Sequence, residues 1–284
     1  MAQYTTILAN EFNSIQSTVA NVLGTGSGGR GYGSAVTSYS VSTGSNISYA
    51  EFDALKTDIN KCYGHIVGSA SSVNNIVAGG DINWSNIVTY QVAATYIDTN
   101  RDSSVGGTTA SDSKVLPAGW GNASGNRVAT LTGSFNWSSA DAMRYFFNQN
   151  GYLNIYGSGA ASGGTLKSDV WGGLANSINF NHSKGDYRPG SGTFQTVSTT
   201  VAPYSSGTPS TLRVDMYGHT STTIPFQIEC TDKGGDDGDS DGITVYSNID
   251  IDLTFYFYAR EISNLASITD YRPTISIGGW SYAA

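Results

Sequence analysis

The chain has 284 residues, enough for one large β domain or two smaller folding units. Charged residues make up 13% and the formal net charge is −8, which argues against general affinity for nucleic acid or anionic membranes. The N-terminus lacks the pattern of a secretory signal, and no apolar run approaches the roughly 20 residues that span a bilayer. The 35 glycines and 18 tyrosines are typical of strands and turns solvated by hydroxyls and amides.

The first predicted element is a helix over residues 3–23, where apolar side chains recur at spacings of three and four. These side chains are Leu8, Phe12, Ile15, Val19 and Val22. Residues 24–47 follow as a loop rich in Gly, Ser and Thr.

A second helix is predicted to begin at the capping box formed by Ser48 and Glu51 and to end at Gly68. Its apolar positions are Phe52, Leu55, Ile59, Cys62 and Ile66. Each of the two apolar seams is too short to indicate a coiled coil. The sequence therefore leaves two arrangements open.

In the first arrangement, the two seams face each other in an antiparallel helical hairpin. In the second, they form a bundle shared between subunits, and Ile and Leu at seam positions permit a trimer. For the second arrangement the candidate interface residues are Leu8, Phe12, Ile15, Phe52, Leu55 and Ile59.

From about residue 70 the sequence predicts strands, because apolar and polar residues tend to alternate. We expect a long polar loop at 98–126 and strands at 82–97, 128–137, 175–182, 193–202, 211–218, 222–231 and 243–258. The last of these alternates most clearly. Several such strands separated by turns favour a β-sandwich.

A short helix is predicted between Ser138, which can cap it, and Asn150-Gly151, which can end it. Its apolar side is formed by Ala142, Met143, Phe146 and Phe147. We expect this helix to lie across a sheet and fill its apolar face. The predicted fold is thus mainly β: an antiparallel sandwich over 75–284 with one short inserted helix, preceded by a helical hairpin over 1–70.

Two overlapping matches to the dinucleotide-binding fingerprint begin at Gly24 and Gly26. That chemistry requires a strand before the glycines and a helix directly after them, whereas here a helix precedes. We interpret the segment as a flexible turn from which Arg30 and Tyr32 can contact a neighbouring protein.

The acidic tract at 232–242 permits two interpretations. Asp237, Asp239 and Asp241, followed by Gly242, match the start of a calcium-binding loop, but Asn248 stands where a Glu is expected. The alternative is a solvated hairpin tip. Ser240 in the same tract matches a hydrolase nucleophile motif, but its acidic surroundings would resist forming an alkoxide.

The remaining candidate groups favour structural roles. Cys62 and Cys230 resemble core positions and are expected to be free buried thiols. The three histidines, His65, His182 and His219, lack metal-ligand spacing.

Asp141 and Arg144, on adjacent turns of the short helix, are expected to pair with each other or with the sheet rather than to act in catalysis. Tyr256, Tyr258 and Trp280 suit either a sugar-stacking platform or an interface with a partner chain.

Two regions of the chain, the N-terminal seventy residues and the region around 142–156, resemble a known family. Residues 142–151, Ala-Met-Arg-Tyr-Phe-Phe-Asn-Gln-Asn-Gly, resemble the Ala-x-Arg-Tyr-Phe-Phe-Asn-x-Gly-Gly signature of virion structural proteins of tailed bacteriophages, notably those of cyanobacteria. Asn150 stands where the family has the first Gly of the pair. Residues 23–33 resemble the glycine-rich turn of the same proteins, and the helix at 47–58 is similar to theirs.

The resemblance implies a non-enzymatic structural protein of the tail, baseplate or neck appendage, assembled in the cytoplasm of the bacterial host. It carries no catalytic residue and no cofactor, so calcium is the one ligand that the sequence leaves open. The expected partners are other copies of the chain, with a trimer preferred, and other virion proteins bound through the hairpin. Three alternatives remain: a receptor-binding adhesin for host surface glycan, a capsid or neck decoration protein, and a polysaccharide-degrading enzyme.

Overall fold

The structure, a computed structural model, describes residues 9–103, 109–120, 127–159, 166–182, 195–200, 211–216, 222–232, 249, 251–260 and 268–283. Its internal contacts divide the chain into two compact units. The first is drawn from Met1–Thr108, Asp141–Gly151 and Glu261–Tyr271; the second is drawn from Thr109–Ala140, Tyr152–Arg260 and Arg272–Ala284.

The helices are α1 (Ala9–Leu23), α2 (Tyr49–Val67), α3 (Trp84–Thr99), α4 (Ala140–Asn148) and α5 (Leu166–Ser177). Helix α2 confirms its predicted start and end: Ser48 and Glu51 form the capping box, and Gly68 adopts a left-handed conformation with φ 81°. Across the described part of the chain, no helix has the length and apolar character that a bilayer crossing requires.

The predicted strand at 82–97 is wrong, because these residues form helix α3. Asn83 caps the helix, and its side chain and that of Asn86 satisfy each other's backbone N–H groups. The buried side chains recur at helical spacing and are Ile87, Tyr90, Ala93, Ala94 and Ile97. In the part of the first unit that the structure describes, α3 therefore packs with the two predicted helices, so they do not form a two-helix hairpin alone.

The core of the first unit lies among α1, α2 and α3. The Phe52 ring contacts the rings of Phe12 and Tyr90 edge to face, with both centroid separations at 5.2 Å. Five of the six predicted interface residues are buried in this core: Phe12, Ile15, Phe52, Leu55 and Ile59. Leu8 lies outside the described residues. The arrangement favours seams that face each other within one chain.

Polar side chains from the helices hold the loop that follows the glycine-rich segment. The buried Asp58 carboxylate accepts hydrogen bonds from the backbone N–H groups of Thr37 and Ser38, and it forms an ion pair with Lys61 at 3.1 Å. Asn13 bonds both the N–H and the C=O of Val41, each at 2.8 Å. The loop is thereby tied to α1 and α2.

The described residues of the second unit form ten strands: β1 (Thr109–Leu116), β2 (Arg127–Asn136), β3 (Tyr152–Gly159), β4 (Asn179–His182), β5 (Gln195–Thr200), β6 (Thr211–Met216), β7 (Thr223–Asp232), β8 (Leu253–Arg260), β9 (Thr274–Ile277) and β10 (Ser281–Ala283). One sheet has the order β1-β8-β3-β4, and the other has the order β10-β2-β7-β6-β5, with β9 also paired to β2. All of these pairs are antiparallel.

Strands β2, β5, β6 and β7 confirm predicted strands, and β8 confirms the second half of the strand predicted at 243–258. Leu253, Phe255 and Phe257 are fully buried, as the alternation predicts. The loop predicted at 98–126 is wrong, because β1 lies in it. The strand predicted at 175–182 is confirmed in its second half by β4, whereas α5 occupies its first residues up to Ser177.

The fold is mixed α/β with two antiparallel sheets, rather than mainly β with one inserted helix. The two sheets contact each other through side chains of their buried faces. The Phe226 ring of β7 stacks on the Phe257 ring of β8 at 4.6 Å between centroids. Helix α4 contributes its residues from Asp141 onward to the first unit. Its placement across a sheet stays a prediction.

Candidate functional site

The glycine-rich segment folds back over the C-terminal end of α1. Gly24 donates to the Ala20 carbonyl at 2.9 Å, and Tyr32 donates to the Val22 carbonyl at 2.8 Å. Within the segment, Gly31 donates to Thr25 at 3.1 Å and Gly33 donates to Gly24 at 2.8 Å. We call residues 24–34 the glycine turn. These bonds close the turn on itself, and its flexibility stays a prediction.

Two features of this turn require glycine: a positive φ angle and the lack of room for a Cβ atom. Gly33 has φ 72°, and a Cβ there would collide with the aromatic ring of Tyr145 on α4. Gly26 has φ 73°, and its Cβ would collide with the backbone of Gly31. The spacing that matches a dinucleotide fingerprint is thus explained by close packing of the chain against itself and α4.

Two consecutive amide side chains at the end of α4 hold the glycine turn by its carbonyls. The Asn148 amide donates to the carbonyls of Gly29 and Gly31 at 2.7 and 2.8 Å. The Gln149 amide donates to Tyr32 at 2.8 Å and to Thr269 at 3.1 Å. The bonds to the carbonyls of Gly31 and Tyr32 are buried, so they satisfy groups that water does not readily reach, whereas those to Gly29 and Thr269 are partly buried.

Arg144 and Tyr145 complete the contact from the middle of α4. The Arg144 guanidinium lies beside Gly29, 4.9 Å from the centroid of the Tyr145 ring, and pairs with Asp141 at 2.9 Å as predicted. Tyr145 packs against the Tyr271 ring at 5.2 Å.

The segment around 268–271 closes the other side of the turn. The Tyr271 hydroxyl donates to the Gly33 carbonyl at 2.6 Å. The Thr269 N–H donates to the Ser34 hydroxyl at 2.9 Å. We call the glycine turn together with residues 144–149 and 269–271 the turn junction.

A buried histidine lies beneath the turn junction. His65 on α2 is fully buried, and its ring centroid is 4.7 Å from that of Tyr32. Burial lowers the pKa of His65 to about 4. Tyr32 is also fully buried and donates its hydroxyl to the Arg101 carbonyl at 2.6 Å, while burial raises its pKa. The prediction that Tyr32 contacts a neighbouring protein is therefore wrong, whereas Arg30 is exposed.

The second unit carries a separate polar surface on the outer face of its β3–β8 pair. The Tyr156 ring stacks on the Tyr256 and Tyr258 rings at 4.7 and 5.2 Å, and the hydroxyls of Tyr156 and Tyr258 are 2.8 Å apart. Nearby on the same face, Asn154 bonds the side chains of Asn179 and Asn181. We call these residues the tyrosine face.

The predicted aromatic platform is only partly assembled. Tyr256 and Tyr258 share the tyrosine face, with Tyr156 between them. Trp280 instead donates its indole N–H to the Val115 carbonyl and contacts Phe255, a buried residue that points to the opposite face of β8. The sequence analysis missed Tyr156, which occupies the cross-strand position opposite Tyr256.

The other predicted sites are placed as follows. Asp237, Asp239, Asp241 and Ser240 lie outside the described residues, as does His219. Cys62 and Cys230 are free and buried, as predicted. Within the described ranges, no group of three or more His, Cys, Asp or Glu side chains has the geometry of a metal site.

The chain was compared with known families and proteins. No family, no curated protein and no solved structure matches it.

Proposed function

We propose that the protein is a non-enzymatic structural component of a tailed-phage virion, as part of a tail, baseplate or neck appendage. The observation that carries this proposal is the turn junction. The two stretches of the resemblance, 23–33 and 142–151, are more than a hundred residues apart in sequence and pack against each other there. If the likeness at these two stretches were coincidental, there would be no reason to expect them to be in contact in the fold.

The chemistry of the turn junction also supports a structural role. The amides of Asn148 and Gln149 are occupied by backbone carbonyls, and the Arg144 guanidinium is paired with Asp141. A catalytic site instead needs a nucleophile or base within reach of an open pocket. The arrangement is suited to fixing one backbone geometry, which a repeating component of a particle requires.

We also propose that the two sheets form a β-sandwich and that the protein assembles as a homo-oligomer, for which the sequence favours a trimer. The contact between Phe226 and Phe257 supports the sandwich, because it joins the two sheets through buried side chains. The attachment role predicted for the N-terminal helices needs surface residues, since Phe12 and Leu55 are buried in their own core.

A receptor-binding adhesin is the second candidate, and the tyrosine face favours it. Hydroxyls and amides on this face can bond glycan hydroxyls, and an outer tyrosine ring can stack on a sugar. However, the rings of Tyr156, Tyr256 and Tyr258 already stack on one another, which leaves fewer ring faces free. An array of host surface glycans probed with the wild-type chain and with Tyr256→Ser tests this candidate: it requires binding that the substitution removes.

The main proposal is tested by locating the chain in a particle. Virions made from a phage genome that encodes this chain are purified and reconstructed by electron cryomicroscopy. We expect the three-helix core and the turn junction to be recognisable in density of the tail, baseplate or neck at a fixed copy number. Absence of the chain from purified virions, in both density and mass spectrometry, would contradict the proposal.

A further inference from the structure

Helix α3 is apolar on two opposite sides. Its inner side packs in the core through residues that include Ile87 and Tyr90. Its outer side exposes four large apolar residues at spacings of four: Trp84 (47% exposed), Val88 (39%), Val92 (63%) and Tyr96 (39%). We call these four residues the α3 stripe. Four large apolar residues exposed on the side opposite the core give the stripe the character of a covered surface.

The α3 stripe lies in a helical segment without charged residues. From residue 84 to residue 97 the helix contains no Asp, Glu, Lys or Arg. The apolar surface continues onto α2, where the Tyr63 ring stacks on Tyr96 at 5.0 Å and Val67 is 41% exposed. Because each chain carries a net charge of −8, two copies approach most easily through an uncharged face.

The order of side chains in the α3 stripe is symmetric about residue 90. It reads aromatic, valine, valine, aromatic, at 84, 88, 92 and 96. In an antiparallel pair related by a twofold axis, Trp84 of one copy faces Tyr96 of the other, and Val88 faces Val92. The valines permit close approach at the centre and the aromatic rings pack at both ends. A parallel arrangement would instead bring each Trp84 ring against its own equivalent.

We propose that the α3 stripe is the contact between two copies of this chain, packed antiparallel about a twofold axis near residue 90. This inference rests on the proposed homo-oligomer, but it specifies a twofold pair as the unit of assembly in place of the trimer that the sequence favours. An oligomer larger than two needs a further contact. The exposed side-chain area of the stripe is roughly 400 Å² per copy, so the pair buries about 800 Å², which is small for a stable dimer. The contact is therefore weak in solution and strengthens at the high local concentration of an assembly.

The first test compares the free chain with two variants by sedimentation equilibrium. Val92→Glu places a charge at the centre of the stripe. Val77→Glu is the matched control, because Val77 is 64% exposed, compared with 63% for Val92, and lies outside α3. We expect a concentration-dependent dimer for the wild type and the control, and a dimer dissociation constant at least about tenfold higher for Val92→Glu.

Each other outcome overturns a defined part of the inference. A wild type that stays monomeric to millimolar concentration overturns both the contact and the proposed homo-oligomer. An oligomer that Val92→Glu leaves unchanged overturns the α3 contact and leaves the homo-oligomer in place. If circular dichroism shows that Val92→Glu is unfolded, Val88→Lys takes its place. The same increase in the dimer dissociation constant is expected for it.

The second test fixes the direction of the pair. Ser85 and Thr95 are exposed on α3 and lie equally far from residue 90. Antiparallel packing places residue 85 of one copy beside residue 95 of the other. It also separates residue 85 of one copy from residue 85 of the other by about 15 Å along the helix axis. A short bismaleimide should therefore link Ser85→Cys mainly to Thr95→Cys in a mixture. Preferential linking of each variant to itself would overturn the twofold arrangement but not the oligomer.

Discussion

The turn junction and the tyrosine face use similar polar side chains in opposite ways. At the junction, Asn148 and Gln149 are buried and donate to backbone carbonyls of the glycine turn. At the tyrosine face, Asn154 and Tyr156 bond other side chains on the outer face of a sheet. A buried bond to a carbonyl cannot be exchanged for water, whereas a surface bond can. The side chains of the turn junction are therefore expected to matter for stability, whereas those of the tyrosine face can exchange their bonds for water or a ligand.

The largest effect is expected for Gly33→Ala, because the new Cβ meets the Tyr145 ring and the backbone has φ 72°. We expect a loss of about 3 kcal/mol or more in the free energy of unfolding, from overpacking and left-handed strain together. Gly44→Ala is the matched control, since Gly44 has φ 86° and open space around it. It should lose about 1 kcal/mol. Urea denaturation measures both, and equal losses would contradict the packing of Gly33 against α4.

The second-largest effect is expected from acidification, which should lower the free energy of unfolding. His65 has a pKa of about 4 in the folded chain, below its ordinary value near 6.5. The unfolded chain thus takes up a proton between these values while the folded chain does not. Stability should fall by up to about 3 kcal/mol from pH 6.5 to pH 4 and change little further from this group below pH 4.

The contribution of His65 is isolated by measuring the same pH series for His65→Leu. Carboxylates titrate in both proteins, so their effects cancel when the two series are subtracted. The free energy of unfolding of the wild type minus that of His65→Leu should fall as the pH is lowered from 6.5 to 4. A difference that stays constant would show that His65 titrates normally in the folded chain.

Asn148→Ala should cost about 2 kcal/mol, because it leaves the carbonyls of Gly29 and Gly31 without their side-chain donor. Asn154→Ala on the tyrosine face is the matched control and should cost less than about 1 kcal/mol, since water can replace its bonds. Thermal or urea unfolding of both variants measures the contrast. A larger loss at Asn154 would reverse the comparison between the two regions.

The smallest effect is expected at Asn150, which ends α4 in a left-handed conformation with φ 64°. Asn tolerates this conformation better than most residues, and Gly adopts it without strain. Asn150→Gly, the residue of the family signature, should therefore change stability by less than about 1 kcal/mol, and in the stabilising direction. A loss greater than this, measured by urea denaturation, would indicate that the Asn150 side chain matters more than its backbone.

Much of the fold follows from local patterns, and α3 shows where such patterns fail. The capping box of Ser48 and Glu51 and the alternation in β7 and β8 are local signals, and both predict correctly. Helix α3 is rich in Val, Ile, Thr and Tyr, which favour strands, and it has apolar residues on both sides. These residues obscure its helical period. The capping box of Asn83 and Asn86 is the feature of the sequence that indicates where this helix begins.

The turn junction could not be predicted in the same way. Its contacts join residues such as Gly31 and Asn148 across more than a hundred positions, and they consist of amides bound to backbone carbonyls. Such bonds leave no periodic pattern in the sequence. The apolar side of α4 was identified correctly, since Met143, Phe146 and Phe147 are fully buried, but not the partner of its polar residues. The resemblance marked both stretches without indicating that they meet.

The central claim, that the family-like stretches form one packed structure, is tested most directly by a double-mutant cycle. Gly33→Ala is measured by urea denaturation in the wild type and in Tyr145→Ala, which removes the ring that the new Cβ would meet. We expect the cost of Gly33→Ala to fall from about 3 kcal/mol to about 1 kcal/mol in the second background, a coupling of about 2 kcal/mol. Costs that are equal in the two backgrounds would show that the glycine turn and α4 are energetically independent and would contradict the account.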